Sequence, residues 1–598
     1  MVIAGVTYVW RLDNVFERHV RRFTGSRFQA LATRNLRSAR DRSPTEQYPF
    51  TRRVLTAMGV DMQRHDPDAA MNVDGDNRNG DGATSRCFYL DGKAGTGKTF
   101  VMETIAATLR ARGDIVLICA FTGLAASLHE GGMTAHRLFH LPLHVGPAIE
   151  SSVVSNVDAE TPTAQLLREA ALIMIDELPM LHRNHLERID ITLRDIMGDD
   201  RPFGGKFILG AGDFRQTSVV VESASRRVML NSVVLAAPVW RAFQVTVLST
   251  SIRQSGDAAF ADIVTGVGDG AGIVDGDGQW RGWWRVPTCI QVFDNPDEAR
   301  EWVFGGANTP YERAQRALLA PRNEDVDAHN HAFVHALDGD IVRLCGHEHR
   351  DDERPAARGY DNNRGSRLLS ETFMAVMKRP GVPPHVLQLK VGCICMCMRN
   401  LDPELGLLNG TKLRILRLGL RVIEAELLRV NAGAAPPVRC LIPRINFTMH
   451  IPRVSATIRR VQFPLRPAYA MTVNKSQGQT RRRVVVDLRS QCFAHGQLYV
   501  ALSRVRNAAD VRFLLDVTTC QSVDDNGEEV SGTYAWALAG WCGSGNTDWA
   551  SAWNRSHGEK CCVEGAAASR TCQSTSSVAA ATQRRAARRR SPGHWRRA

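Results

Sequence analysis

Residues 91–100 read DGKAGTGKTF and contain G-x-x-x-x-G-K-T, the spacing of a loop that wraps phosphates. Gly92, Gly95 and Gly97 let backbone N–H groups come close to phosphate oxygens, Lys98 reaches toward the β- and γ-phosphates, and the Thr99 hydroxyl suits magnesium. Downstream, Leu172-Ile173-Met174-Ile175-Asp176-Glu177 buries four apolar residues and delivers two carboxylates at their end. Asp176 suits holding magnesium through water, and Glu177 suits polarising an attacking water. An adjacent Glu base of this kind belongs to ATPases that do mechanical work and disfavours GTPases and small-molecule kinases. GDFRQ at 212–216 adds Gln216, a residue able to sense the γ-phosphate and couple it to a second ligand.

Such groups work only if strands deliver them to one edge. CFYL leads into the glycine loop, and TFVMETIAATLRARG places Val101, Ile105 and Leu109 on one helical face before stopping at Gly113. DIVLICA, ALIMIDE and KFILGAGD follow as buried-strand runs, each ending in small or polar residues, the pattern of a parallel sheet that works at its strand C-termini. RALLAP, RRVVVDL and VRFLLD form a second set, so two α/β lobes are expected. Between them, residues 345–460 alternate apolar and polar positions between Pro/Gly turns, which predicts a small β insertion.

Composition sets limits. Hydrophobic content of 44% and charged content of 23% are ordinary for a globular protein, and no apolar run approaches the length of a membrane span. MVIAGVTYVW lacks a basic n-region and makes a poor signal peptide. The 14 cysteines show no zinc-finger spacing, so a reducing compartment is the simpler expectation. Cys393, Cys395 and Cys397 share one face of a strand and read as small core residues rather than metal ligands. The net charge is +13, and all of it resides in two Arg-rich tails, residues 1–42 and 584–598. The tails are open to three readings: nucleic-acid binding, an import signal, or solvated disorder. The low-complexity stretch at 64–86 reads as a flexible loop; Asn77, Asn79, Asp81 and Gly82 imitate a calcium loop whose closing Glu is replaced by Phe88.

In this order the motifs resemble superfamily 1 DNA helicases of the petite integration frequency (PIF) type, and most closely the helicase part of Helitron transposon proteins. The matching segments begin with FTGLAASLHEGGMTAHRLF (121–139), LIMIDELPMLHRNHLERIDITLRDIM (172–197) and PFGGKFILGAGDFRQ (202–216). They continue with LLAPRNEDVDAHN (318–330), VPPHVLQLKVG (382–392), MRNLDPELGLLNGT (398–411), FPLRPAYAMTVNKSQGQT (463–480) and FAHGQLYVALSRVR (493–506). The resemblance covers about residues 87–516. It departs after GDFRQ, where TSVVV replaces a Leu and two prolines, and it leaves no room for the upstream nuclease domain of Helitron proteins. His347-Glu348-His349 imitates the paired-His pattern of that nuclease but lies within a variable inter-motif region.

The resemblance implies an α/β fold of two RecA-like parallel-sheet P-loop lobes, with a small β-barrel-like insertion in the second and disordered tails. The expected segments are a basic, poorly structured 1–42; a first lobe 43–250; a second lobe 251–344 and 461–520 around the insertion 345–460; and a disordered basic tail 521–598. The resemblance also implies ATP and Mg2+ as ligands and single-stranded DNA and duplex junctions as partners, with no membrane. It matches Thr122, Gly123, Thr134 and His136 to the grip on the strand, and Lys475, Ser476, Gln477 and Gly478 to a loop between nucleotide and DNA. Arg253 and Arg504 match arginines that reach the γ-phosphate from across the cleft, and Gln47 matches an adenine-reading glutamine. The implied activity is ATP-dependent DNA unwinding with 5′-to-3′ movement, in the nucleus or alternatively the mitochondrion. A decayed transposon remnant that binds DNA or nucleotide without unwinding is the competing reading.

Overall fold

In the computed structural model, the described residues are 2–3, 6–7, 26–42, 46–60, 85–142, 157–217, 226–270, 283–350, 381–402, 405–428, 437–451, 456–516, 522–523, 529–530 and 534–536. Expectations about the 64–84 loop, the sequence after Thr217 and nearly all of 521–598 lie outside them.

The buried runs of the first half form six parallel strands. They are β1 (Cys87–Gly92), β2 (Val116–Ala120), β3 (Met133–Thr134), β4 (Leu172–Asp176), β5 (Phe207–Gly212) and β6 (Phe243–Leu248), in spatial order β3-β2-β4-β5-β1-β6. Alternation along β1 sends its side chains to two cores. Phe88 and Leu90 face α1 (Ser26–Arg42), α2 (Gln47–Ala57) and α3 (Lys98–Arg112), whereas Cys87 and Tyr89 face α4 (Arg183–Met197). Both faces of the sheet are therefore covered, as an all-parallel sheet requires.

Residues 26–42 correct the expectation of a poorly structured N-terminal segment. They form α1, and Phe28, Ala32, Leu36 and Ala39 recur at helical spacing and are all buried. Leu36 and Ala39 join the core beneath α2 and α3, while Phe28 lies under Arg110 of α3 with the guanidinium 5.9 Å from its ring. Burying a side chain such as Leu36 contributes about 1.5–3 kcal/mol.

The second set of runs forms a five-stranded parallel sheet, labelled β7 (Val292–Phe293), β8 (Arg316–Ala320), β9 (Ala470–Thr472), β10 (Arg483–Asp487) and β11 (Val511–Leu514). Its spatial order is β7-β11-β10-β8-β9. Helices α5 (Ala258–Asp269) and α6 (Gln497–Leu502) pack into its core through Phe260, Val264, Leu498 and Tyr499. Between β8 and β9 the chain turns antiparallel. Arg439–Pro443, Val422–Leu427, Lys412–Leu418, Ile394–Cys397 and Leu465–Pro467 make one sheet, and His347–Arg350, Ala456–Gln462 and Ile445–Ile451 make another. Cys393, Cys395 and Cys397 lie in the core of the first of these beside Leu413 and Phe463. Glu348 accepts from Arg460 Nε at 2.6 Å and pairs with His385 Nδ1 at 2.8 Å, so the middle residue of His-Glu-His is held in an internal ion pair. No described helix is long and apolar enough to cross a membrane.

Candidate nucleotide and nucleic-acid site

The glycine loop joins β1 to α3 at the C-terminal edge of the first sheet, where Gly95 and Gly97 adopt φ of 89° and 91°. This left-handed backbone suits glycine, and space excludes anything larger. A Cβ on Gly95 would lie 2.4 Å from Cβ of Arg253, and one on Gly97 would lie 2.5 Å from Nε2 of Gln47. The loop is thus sheathed by two of the residues matched to nucleotide contacts. Gln47 Nε2 donates to Thr96 O at 2.8 Å, and the backbone amides of Ile252 and Arg253 both donate to Gly95 O. Lys98 curls back, its Nζ donating to Gly92 O at 2.6 Å and Lys93 O at 3.2 Å.

Strand order determines what faces this loop. β5 lies between β1 and β4, so the GDFRQ turn is wedged between the glycine loop and the Asp176-Glu177 pair. Asp176 is buried; its Oδ1 accepts from Glu177 N at 2.9 Å, and its Oδ2 contacts His129 Nε2 at 3.0 Å. Glu177 holds φ 53° and ψ 39°, a conformation that costs a non-glycine residue about 1–3 kcal/mol. Burial and the adjacent Asp176 carboxylate push its pKa up to about 7. Gln216 is buried, with Nε2 donating to Asp213 Oδ2 at 3.2 Å and Oε1 unpartnered among the described residues. Lys98, Thr99, Asp176, Glu177, Gln216, Arg253, Gly478 and Arg504 line one cleft of about 720 Å³, with Gln47 at its wall. The hydroxyl of Thr99 and the carboxylates of Asp176 and Glu177 are hard oxygen donors that fit magnesium, and the open glycine cradle with an unpartnered Gln216 oxygen fits a polyphosphate.

Several sequence-matched residues sit differently from expectation. Arg253 does not reach in from across the cleft. It leaves the end of β6, packs on the glycine loop and donates from Nη1 to Ser503 O of the second lobe at 2.8 Å. Arg504 comes from the second lobe, and its guanidinium is bound to the carbonyls of Val500, Ser476 and Gln479 and to Ser503 Oγ. Gln477 sends its carboxamide to Thr217, whose Oγ1 donates to Oε1 at 2.6 Å, so it ties the two lobes together rather than lining the cleft. Ser476 is fully buried with its hydroxyl donating to Val473 O, so it shapes its turn and is no strand contact. Lys475, its neighbour, is exposed. Gly92 lies beneath the loop rather than in the cleft and serves through its carbonyl.

The residues matched to strand contact gather at the other end of the sheet edge. Thr122 caps the short helix Gly123–Ala126 by accepting from Ala125 N at 3.1 Å, and Thr134 accepts from Arg137 N at 3.3 Å. His136 lies between Phe121 and His185, with ring centroids 5.5 Å and 5.1 Å away. Gly123 faces Asn400 of the insertion, whose Oδ1 would lie 3.0 Å from a Cβ there.

Residues 79–275 match the model of the PIF1-like helicase, and residues 372–418 match that of the 2B domain of DNA helicase Pif1. The PIF1-like match covers about a third of the chain. The chain is 25% identical to ATP-dependent DNA helicase RRM3 of Saccharomyces cerevisiae over 488 residues, covering 70% of this chain and 61% of that one. It is 27% identical to human ATP-dependent DNA helicase PIF1 over 439 residues, covering 71% and 58%. The chain therefore spans about 60% of the length of these relatives. Among solved structures, it matches Bacteroides Pif1 with a TM-score of 0.51 at 22% identity over 72% of this chain and 88% of that one. Candida albicans Pif1 gives a TM-score of 0.50 at 23% identity, covering 72% and 91%. These likenesses establish the shared fold of the PIF1-like core.

Four residues behind the cleft were not singled out by sequence reasoning. Asp213 Oδ2 accepts from Tyr499 Oη at 2.7 Å, and Tyr499 Oη in turn accepts from Ala94 N at 2.9 Å. Arg215 ties the same turn to Asp269 of α5 at 2.6 Å. His129 meets Asp176. Asp213 and Tyr499 do lie inside matched motifs, GDFRQ and YVALSR, but nothing in either string reveals that they touch.

Proposed function

We propose that this protein is an ATP-dependent DNA helicase that couples hydrolysis to 5′-to-3′ movement along single-stranded DNA and to opening of duplex junctions. The observation that carries the proposal is the cleft itself. It holds a phosphate loop, a carboxylate pair, a glutamine and two arginines, and its walls come from two parallel sheets. In this reading Lys98 binds the β- and γ-phosphates, Thr99 and Asp176 hold magnesium, and Glu177 orients the attacking water. Magnesium, when bound, neutralises charge developing on the phosphates. Gln216 reads the γ-phosphate, and Arg253 and Arg504 stabilise the charge of the transferred group. Because Arg504 belongs to the second lobe, hydrolysis depends on how the lobes close, which turns turnover into movement. Gln47 contacts the adenine side of the nucleotide. Thr122, Gly123, Thr134, His136 and Lys475 contact the strand, mostly through its backbone, so binding is salt-sensitive and weakly sequence-specific.

The motif series further supports kinship with the helicase part of Helitron proteins, and the naming of relatives as ATP-dependent DNA helicases supports the ATP-driven motor reading; the wider reading is work in DNA repair, recombination or telomere maintenance, in the nucleus or alternatively the mitochondrion. The test is ATP hydrolysis with and without single-stranded oligonucleotide, comparing the parent with Lys98→Ala. DNA-stimulated turnover that Lys98→Ala abolishes is expected. Turnover indifferent to DNA, or absent in the parent, overturns the proposal. Unwinding of 5′-tailed but not 3′-tailed duplex then checks polarity.

A further inference from the structure

His129 is buried, its ring Nε2 lies 3.0 Å from Asp176 Oδ2, and its side chain is shielded from solvent. Asp176 has its other oxygen on the amide of Glu177. The imidazole is therefore the side-chain support of the carboxylate proposed to hold magnesium, and a ligating carboxylate depends on such support for its orientation.

The origin of this histidine gives the contact its meaning. His129 lies in the segment between β2 and β3, flanked by Thr122 and Gly123 on one side and Thr134 and His136 on the other. Strand register aligns these parts: Ala120 at the end of β2 pairs with Asp176 of β4 on one side and with Thr134 of β3 on the other. The intervening turn is tightly built, with His129 N donating to Ala126 O and Gly132 N donating to His129 O. A Cβ on Gly132 would lie 2.1 Å from Ala126 O, so the turn closes only with glycine. Leu128, next in sequence, lines the nucleotide cleft. A shift of the proposed strand-contact residues is thus passed by a short, stiff turn to one hydrogen bond on Asp176.

We infer that His129 is a positioning residue that couples strand binding to the geometry of Asp176, and hence to magnesium-nucleotide binding. The inference rests on the motor reading above. Coupling of this kind is reciprocal: if the strand improves magnesium-nucleotide affinity, magnesium-nucleotide improves strand affinity by the same factor.

The experiment measures anisotropy of a fluorescein-labelled single-stranded oligonucleotide with the full chain. Titrations are run without nucleotide, with non-hydrolysable ATP analogue plus Mg2+, and with the analogue plus EDTA. The parent should show a strand affinity that changes about 5-fold or more with Mg2+-analogue and little with EDTA. His129→Leu should keep the nucleotide-free affinity within about 2-fold and lose the Mg2+-dependent change. His129→Gln, whose amide nitrogen can reach the same position as Nε2, should restore it. If the leucine variant does not fold, His129→Asn serves in its place, because its shorter amide falls short of Asp176. A parent-like ratio in His129→Leu, or equal ratios in the Gln and Asn variants, overturns the inference and leaves the motor reading intact. A parent that neither binds the oligonucleotide nor hydrolyses ATP overturns both.

Discussion

Tyr499 and Asp213, 286 residues apart in sequence, meet at 2.7 Å, and the same phenolic oxygen accepts from Ala94 N at the root of the glycine loop. Tyr499 belongs to α6 of the second lobe, five residues before Arg504, so one hydroxyl links the phosphate loop, the GDFRQ turn and the helix that leads to Arg504. Tyr499→Phe keeps the packing and deletes both hydrogen bonds. A bond to a charged group contributes about 1.5–3 kcal/mol, so kcat of DNA-stimulated hydrolysis should fall by roughly 10- to 150-fold. KM for ATP should change little. Steady-state kinetics decide this, and an unchanged kcat refutes the link.

Gln47 touches the glycine loop and forms a wall of the cleft. Gln47→Ala should raise KM for ATP by about 10-fold, equivalent to roughly 1.4 kcal/mol, with kcat nearly intact. Its preference for ATP over other nucleoside triphosphates should shrink at the same time. Competition among the four triphosphates measures this, and a preserved preference removes Gln47 from base recognition.

Asp91, at the end of β1, is buried beside Asp213, and burial with that neighbouring charge pushes its pKa up to about 6. A carboxyl whose pKa is higher folded than unfolded binds more protons in the folded state. Its contribution to stability is fully present below the unfolded value near 4 and is lost as pH rises through about 6. Asp91→Asn should therefore raise stability at pH 8 by about 1–3 kcal/mol, seen as a higher Tm, and leave Tm nearly unchanged at pH 4. Thermal melts at the two pH values test the sign.

Glu348 pairs with Arg460, whose side chain is almost wholly buried. Removing one member of such a pair leaves an uncompensated charge, so Glu348→Ala should cost about 3–5 kcal/mol. The loss should be seen first as faster amide exchange in Ala456–Gln462 and His347–Arg350, the strands that carry the pair. Added divalent metal should not rescue it, in contrast to a metal site in which Glu348 is a ligand.

The working edges of both sheets were legible in sequence because buried parallel strands leave continuous apolar runs that end abruptly in Asp, Gly or Thr. Phosphate chemistry was legible for the same reason: it uses short-range spacing. What escaped depends on tertiary approach. Nothing local pairs His129 with Asp176 or Tyr499 with Asp213. Helix α1 escaped because nine arginines in 1–42 draw attention to charge, although Phe28, Ala32, Leu36 and Ala39 already repeat at helical spacing. Ser476 and Gln477 mislead in the opposite way. Their position in a matched motif suggested ligand contacts, whereas one is sealed in its own turn and the other spans to Thr217.

The clip between Gly95 O and the amides of Ile252 and Arg253 also has a mechanical side. Among the described residues, the main chain passes from the first sheet to the second only once, after β6, and this crossing is fastened directly to the phosphate loop. On the proposed motor reading, a change at the nucleotide would therefore reach the second sheet first through the segment around Arg253, which also donates to Ser503 O.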